Sequence, residues 1–177
     1  MFEPQPIEWT QYNDAVDVGT LTVPVDYNDP TGPTFDLHLA RYNALDPENK
    51  IGTLLVNPGG PGFGGSVLAL RAADIYDRAL RDKFDIIGWD PRGTGASTPA
   101  IDCVDDYDQY FAGDDTPQSD AERQQIVDTD KQFADGCEQR SGTIIQHVGT
   151  NDSARDMDVI RRALGEDKIS YLSLIHI

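Results

Sequence analysis

The sequence predicts an α/β fold in which a mostly parallel sheet carries an antiparallel hairpin at its N-terminal side. Apolar and polar residues alternate on both sides of the turn "NDPTGP", which is typical of two hairpin strands. Further along the chain, short apolar runs alternate with segments of helical periodicity, as in strand–helix–strand units. The predicted order is a hairpin, a strand, a helix, a strand, an insertion, a helix and a last strand.

The predicted hairpin lies in "GTLTVPVDYNDPTGPTFDLHLARYNA", residues 19–44. Each strand places three apolar residues on one face, because successive side chains of a strand point to opposite faces. These residues are Leu21, Val23 and Val25 in the first strand and Phe35, Leu37 and Leu39 in the second. The Pro- and Gly-rich segment between the strands favours a turn.

Two compact apolar runs follow, and each predicts a strand that is buried on both faces. The first run, in "IGTLLVNPGGPG", ends in glycines, and the second, in "FDIIGWDPRGTGAST", ends in a loop rich in turn residues. Between them, "GSVLALRAADIYDRALRDK" predicts one helix over residues 65–83. Its expected apolar positions are Val67, Leu70, Ile75 and Leu80.

Residues 101–141 are polar and acidic, and "DAERQQIVDTDKQFADGCEQ" predicts a helix within them. The apolar positions of a further amphipathic helix are Ala154, Met157, Ile160 and Leu164. We expect Thr150 or Asn151 to cap the N-terminus of this helix and Gly165 to end it. The segment "KISYL" then predicts the last strand.

The charge of the chain restricts its partners. There are 31 acidic residues against 14 Lys and Arg, a formal charge of −17. This balance argues against nucleic acid or an anionic membrane, because phosphate binding needs clustered cations. No run approaches the ~18 apolar residues that a membrane span requires. No signal peptide is visible, so either the protein is cytoplasmic or the chain begins after its signal.

The loop "NPGGPGFGG", residues 57–65, lies between a predicted strand and a predicted helix and allows two interpretations. In the first, Gly60, Gly62 and Gly65 form the G-x-G-x-x-G pattern of a dinucleotide site, with Asp90 as the acidic residue. However, Pro61 has no N–H group to offer a pyrophosphate, and Asp90 lies further along the chain than the usual ~20 residues. In the second, backbone N–H groups of the loop stabilise a negatively charged oxygen in a reaction intermediate.

Four motifs in order resemble one family. The segment "PGGPG" resembles the His-Gly-Gly-Pro-Gly loop of the proline iminopeptidase group of α/β-hydrolases, and "DPRGTGAST" resembles their Asp-x-Arg-Gly-x-Gly-x-Ser loop. The chain is most similar to the secreted tripeptidyl aminopeptidases of actinobacteria. Their members show "LLVNPGGPG", "FDIVGFDPRG", a Cys pair around an acidic insertion, and "DMD-x-(I/L)R-x-ALGE-x-K-(I/L)SYLG" at comparable spacing. The resemblance covers nearly all of residues 19–171.

The resemblance implies an α/β-hydrolase fold and a secreted serine exopeptidase that releases short peptides or single residues from the free N-termini of peptide substrates. No cofactor and no metal are implied. An esterase or other acyl hydrolase of the same fold is the alternative, because the fold does not fix the substrate. Substrate length, residue preference and oligomeric state stay open.

The resemblance also assigns roles to single residues. Gly59, Gly60 and Gly62 are implied to form the oxyanion hole, with Gly60 as the expected donor because Pro61 has no N–H group. Pro58 stands where the iminopeptidase loop has His, so no contact of that His is carried over.

Asp90 and Arg92 are expected to form a charged pair that pins the loop from behind, and Ser97 is expected to be a structural turn residue. Neither His38 nor His147 is expected to be the general base, because in this fold the catalytic His follows the nucleophile in the chain.

Cys103 and Cys137 flank the acidic segment and allow two interpretations. They form either a disulfide that closes this segment, which would indicate an oxidising compartment, or two free thiols. A metal site is not expected, since the two cysteines have no second pair and no His nearby. The aspartates of the segment do not have EF-hand spacing, so they predict a solvated surface. They are Asp102, Asp105, Asp106, Asp108, Asp114 and Asp115.

The last residues raise a separate expectation. In the family, "KISYLG" leads into the nucleophile turn, where Ser173 would stand at the first Gly position and Ile175 at the nucleophile position. The tail "LSLIHI" is a direct translation of CTG TCT CTT ATA CAC ATC, which resembles a transposon adapter. We therefore expect residues 1–171 to be the N-terminal part of one hydrolase domain, cut before the nucleophile and inactive alone. Residues 172–177 are then expected to be non-native read-through.

Overall fold

The computed structural model describes residues 2–60 and 62–173 in two compact units. The first unit combines residues 2–100 with residues 148–173, and the second is Ile101–His147. The chain therefore leaves the first unit after the second of the two central strands, builds a separate insertion, and returns.

One mixed sheet of six strands forms the centre of the first unit. The strands are β1 (Glu8–Gln11), β2 (Val16–Pro24), β3 (Thr34–Tyr42), β4 (Gly52–Asn57), β5 (Phe84–Trp89) and β6 (Ser170–Ser173). Their order across the sheet is β1-β2-β3-β5-β4-β6. The pairings from β1 to β5 along this order are antiparallel, whereas β4 is parallel to both β5 and β6. The α/β class is confirmed, and β1 is a strand that periodicity did not predict.

The hairpin of β2 and β3 forms as predicted. Its register pairs Leu21 with Leu37 and Val23 with Phe35 across the two strands. The six apolar residues predicted to share a face are at most 6% exposed. Their burial provides the hydrophobic stabilisation of this half of the sheet.

The segment between β4 and β5 corrects the sequence prediction, because it forms three short helices rather than one. They are α1 (Ser66–Leu70), α2 (Ala72–Ile75) and α3 (Arg78–Lys83). Tyr76 and Asp77 adopt extended backbone angles, which interrupts the helix. The buried face is also different, since Val67 and Ile75 are 45% and 44% exposed while residues such as Leu68 and Ala72 are buried.

The helix before β6 is α6, Thr150–Ala163, and its N-cap is Gly149 rather than Thr150 or Asn151. Gly165, with φ of 71°, follows the end of the helix as the sequence predicted. The side of α6 that is buried carries Val159 and Ile160 and, unexpectedly, the carboxylate of Asp156.

Arg92 explains this buried carboxylate. Its Nε and Nη2 donate to the two carboxylate oxygens of Asp156 at 2.8 and 2.6 Å, and both side chains are fully buried. Its remaining donors reach the carbonyl oxygens of Val25 at 2.9 Å and Pro24 at 3.1 Å. Burial disfavours the guanidinium charge, but the hydrogen bonds and charge of Asp156 outweigh it and raise the pKa of Arg92.

This geometry corrects the expected pair of Asp90 and Arg92. The carboxylate that binds the guanidinium is on α6, and Tyr27 donates a third hydrogen bond to it at 2.6 Å. Burial, together with Asp156, raises the pKa of Tyr27 and keeps it a neutral donor. Three distant segments therefore meet at one buried ion pair: the turn after β2, the loop after β5 and α6.

The second unit contains α4 (Asp108–Phe111), the predicted helix as α5 (Asp120–Ser141), and a 3₁₀ turn at Gly142–His147. Ser119 caps α5 by accepting a hydrogen bond from the N–H of Glu122. The sulfur atoms of Cys103 and Cys137 lie 2.03 Å apart, the distance of a disulfide bond. Within the described residues, no helix is both long and apolar enough to cross a membrane.

Replacing Arg92 by Met should lower the free energy of unfolding by about 3–5 kcal/mol, because it leaves the buried Asp156 carboxylate without its counter-charge. In the double variant Arg92→Met/Asp156→Met, the loss should be smaller than the sum of the two single losses, since no buried charge remains. Urea denaturation measures the free energy of unfolding of all three variants.

The control is Arg155→Met. This change removes an exposed cation from α6, the helix that carries Asp156, and should change the free energy of unfolding by at most about 0.5 kcal/mol. Additive losses at Arg92 and Asp156 would contradict the pairing.

Replacing Cys103 and Cys137 by Ser should lower the stability of the second unit by about 3–4 kcal/mol, because the bridge closes a loop with a sequence separation of 34. Either single replacement should have the same effect as the double one, since each already breaks the bond. Limited proteolysis of the insertion reports this stability. Alkylation of both cysteines in denatured, non-reduced protein would show that the bond is absent.

Candidate functional site

The glycine loop, residues 58–65, connects β4 to α1 at the point where the strand order of the sheet reverses. The chain moves from β4 to β5 on one side of β4 and later returns to β6 on the other side. Ligands of open α/β sheets bind outside the carboxyl ends of the strands at such a point. The register pairs Asn57 with Ser173, so the loop begins beside the end of β6.

Three glycines give this loop a backbone that other residues rarely adopt. Gly59, Gly60 and Gly62 have φ angles of 72°, 57° and 98°. A side chain in this region costs roughly 1–2 kcal/mol per residue. Asn57 holds the start of the loop, since its Oδ1 accepts the N–H of Gly59 at 2.8 Å. The glycines predicted to act together therefore all adopt backbone angles that favour glycine.

The far end of the loop is fixed to β5 by close backbone contact. The N–H of Gly65 donates to the carbonyl of Trp89 at 2.9 Å. A Cβ atom on Gly65 would lie 2.5 Å from that same oxygen, and one on Gly88 would overlap the carbonyl of Gly65. Only glycine fits at these two positions, because the two backbones touch.

Asp90 fills the space between the glycine loop and the loop that follows β5. Its carboxylate is buried and accepts the N–H groups of Ser66 at 2.9 Å and Ala96 at 2.8 Å. Ser97 completes the structure, because its hydroxyl donates to the carbonyl of Asp90 and accepts the N–H of His38. Asp90 and Ser97 are structural, as expected, but through backbone groups rather than through Arg92. A carboxylate used in this way is not available to a ribose, which argues against the dinucleotide interpretation.

The other residues singled out from the sequence lie elsewhere. His38 is in β3, where its backbone joins the Ser97 network, and His147 and the two cysteines are in the second unit. Ser173 ends β6 opposite Asn57 and is buried. Ile175, expected at the nucleophile position, lies outside the described residues.

Sequence reasoning missed Asn57 and Asp156. Asn57 had a signal, because Asn two residues before a glycine favours a side-chain-to-backbone turn. Asp156 had a signal only as the first residue of the "DMD" motif, which did not indicate its partner, since Arg92 is 64 residues away.

The exposure of the loop allows a ligand to reach it. Gly60 and Gly62 are solvent-exposed, and backbone N–H groups in turns can bind anions. The loop is anchored at both ends, so such donors would be preorganised rather than ordered by the ligand.

Comparison with known proteins identifies the family of this chain. The family described as alpha/beta hydrolase fold matches residues 52–172, more than half of the chain. Serine protease Hip1 of Mycobacterium tuberculosis is 40% identical over 181 residues, covering 95% of this chain and 34% of that protein. Tripeptidyl aminopeptidase of Streptomyces lividans is 37% identical over 165 residues, covering 90% of this chain and 30% of that protein.

A third relative is named for a different activity. Carboxylesterase B of Mycobacterium tuberculosis is 40% identical over 148 residues, covering 81% of this chain and 28% of that protein. The chain spans about a third of the length of the curated relatives that it matches.

Replacing Gly60 by Ala should lower the free energy of unfolding by about 1–2 kcal/mol, because the methyl group is disfavoured at a φ of 57° and meets the ring of Phe63 at 3.3 Å. Gly113→Ala is the control, since a Cβ there meets nothing within 4 Å. Chemical denaturation compares the two. Equal stabilities would show that the loop does not hold Gly60 in this conformation.

Proposed function

Because the chain belongs to the α/β-hydrolase fold family, we propose that the protein containing it is a serine hydrolase whose oxyanion hole includes the glycine loop. The observation that carries the proposal is the parallel pairing of β4 and β6, which sets Leu54 beside Ser170 and Leu55 beside Tyr171 and so brings the carboxyl ends of both strands to one edge of the sheet. In this fold the nucleophilic Ser stands on a tight turn between a strand and a helix. A Ser directly after β6 would lie next to the loop.

The proposed reaction uses the loop at one step. The Ser hydroxyl attacks the substrate carbonyl while a His accepts its proton, and the carbonyl oxygen becomes negatively charged. The backbone N–H groups of Gly60 and Gly62 donate to this oxygen, whereas the expected donor at Gly59 is excluded because its N–H already donates to Oδ1 of Asn57. Loss of one such donor typically lowers the rate by about 10²–10³. The His then returns the proton to the leaving group, and water releases the acyl group.

We propose peptides with free N-termini as substrates, from which the enzyme releases tripeptides or single residues. Support comes from the relatives named as a serine protease and a tripeptidyl aminopeptidase. The second candidate is ester hydrolysis, which the relative named as a carboxylesterase favours. The oxyanion chemistry is the same for both, so the glycine loop does not decide between them.

We also propose that the enzyme is exported. The support is the closed Cys103–Cys137 pair, because disulfides persist in oxidising compartments.

Three substrate types test the function in the complete protein: tripeptidyl anilides with a free N-terminus, the same anilides acetylated at the N-terminus, and short-chain nitrophenyl esters. An exopeptidase that pairs the substrate ammonium group should prefer the free anilides by about 100-fold or more in kcat/KM. Fluorophosphonate labelling should identify one reactive Ser.

The outcomes separate the candidates. Hydrolysis of esters without anilides would establish the esterase instead. No turnover of any substrate, together with no fluorophosphonate labelling, would refute the serine hydrolase. Titration with NAD(P)H should show no binding, and saturable binding would restore the dinucleotide interpretation.

A further inference from the structure

We propose that Asp90 is the positioning residue of the oxyanion loop. Its carboxylate binds the end of the glycine loop to the loop after β5 and so sets the direction of the N–H groups of Gly60 and Gly62. The catalytic consequence rests on the proposed function, whereas the anchoring itself does not.

The two carboxylate oxygens bind two different segments. Oδ1 accepts the N–H of Ser66, the first residue after the glycine loop, at 2.9 Å. Oδ2 accepts the N–H of Ala96, in the loop after β5, at 2.8 Å. An ionised carboxylate accepts both bonds without donating any, so it suits a site that presents two N–H groups.

The surroundings are shaped to this carboxylate. A Cβ atom on Gly64 would overlap Oδ1 of Asp90, and one on Gly95 would overlap Oδ2. Gly64 does not have a positive φ that would require glycine, so the position of the carboxylate is what excludes a side chain there. The glycine at this position therefore makes room for Asp90.

Asp90 is itself held in place, so it can act as a fixed reference. Its N–H donates to the carbonyl of His38 at 2.9 Å, and its carbonyl accepts the hydroxyl of Ser97 at 2.6 Å. The side chain is 3% exposed, so water does not compete strongly for its oxygens.

The glycine loop is then anchored by Asn57 at its start and, at its end, by Asp90 together with the backbone bond from Gly65 to Trp89. Oxyanion donors act only when aimed at the oxygen of the intermediate, and a misplacement of about 1 Å can cost about 10² in rate. Gly59, Gly60 and Gly62 have no side chains that could fix the direction of their own backbone N–H groups. The anchors at the two ends of the loop must therefore set this direction.

The first test is Asp90→Asn in the complete protein. The amide keeps the shape of the side chain but turns one acceptor into a donor that faces a backbone N–H. We expect kcat to fall about 10–100-fold with KM changed by less than about 3-fold, because the loss is confined to the transition state. Amide hydrogen exchange at Ser66 should become faster, while exchange in β2 and β3 stays unchanged.

Asp85→Asn is the matched control. Asp85 lies near the other end of β5, and its Oδ1 also accepts a backbone N–H, that of Ala44, at 2.9 Å. It anchors a segment that is not part of the glycine loop. This variant should leave kcat and exchange at Ser66 unchanged, even where it lowers stability.

The second variant, Gly64→Ala, tests the same contact from the loop side if Asp90→Asn does not fold. Its methyl group should displace the carboxylate and produce the same fall in kcat and the same faster exchange. In an Asp90→Ala background the space is empty, so Gly64→Ala should add little. Additive effects of the two changes would overturn the proposal.

Unchanged exchange at Ser66 in both Asp90→Asn and Gly64→Ala would refute the anchoring. Faster exchange with an unchanged kcat would refute the role in positioning. If the unmodified protein hydrolyses none of the substrates, the proposed function fails on its own, and the exchange measurements still decide whether Asp90 holds the loop.

Discussion

The backbone contact between the glycine loop and β5 is the constraint on which the rest of the site depends. The N–H of Gly65 binds the carbonyl of Trp89, and Gly88 lies so close to Gly65 that neither position tolerates a side chain. Since α1 begins at Ser66, this contact decides where the chain leaves the sheet after β4. Hydrogen bonds and close packing hold the two ends of the loop, and preorganised donors require such anchoring.

A buried ion pair positions the other side of the site. The guanidinium of Arg92 uses Asp156, Val25 and Pro24 as acceptors, so the cost of burying its charge is offset by hydrogen bonds. Because α6 leads to β6, a pair that fixes α6 against the loop after β5 also fixes the approach of the chain to β6. The contact of Asp156 with Arg92 thus helps to place the strand that ends beside the glycine loop.

Relatives of this chain are named for different activities, as a serine protease, a tripeptidyl aminopeptidase and a carboxylesterase. A loop that stabilises a negatively charged oxygen would suit all three activities, because attack on an ester and on an amide produces the same type of intermediate. Discrimination between substrates must come from groups that contact the leaving group or the substrate N-terminus. Function is therefore argued from the site, and the fold limits only the type of chemistry.

The sequence by itself determined the hairpin, the strands β4 and β5, the helix α5 and the glycine loop. Each of these depends on local patterns: alternation, apolar runs, capping and glycine content. It failed over residues 65–83, where extended angles at Tyr76 and Asp77 break a segment whose spacing suggests one helix.

Only the tertiary structure decided the partners of the charged residues. Asp90 and Arg92 are neighbours in sequence, yet Asp90 binds an N–H group 24 residues away and Arg92 a carboxylate 64 residues away. Their side chains bind different segments because the chain turns directly after β5. Such pairings have no sequence period, since they arise where the order of the strands brings distant segments together.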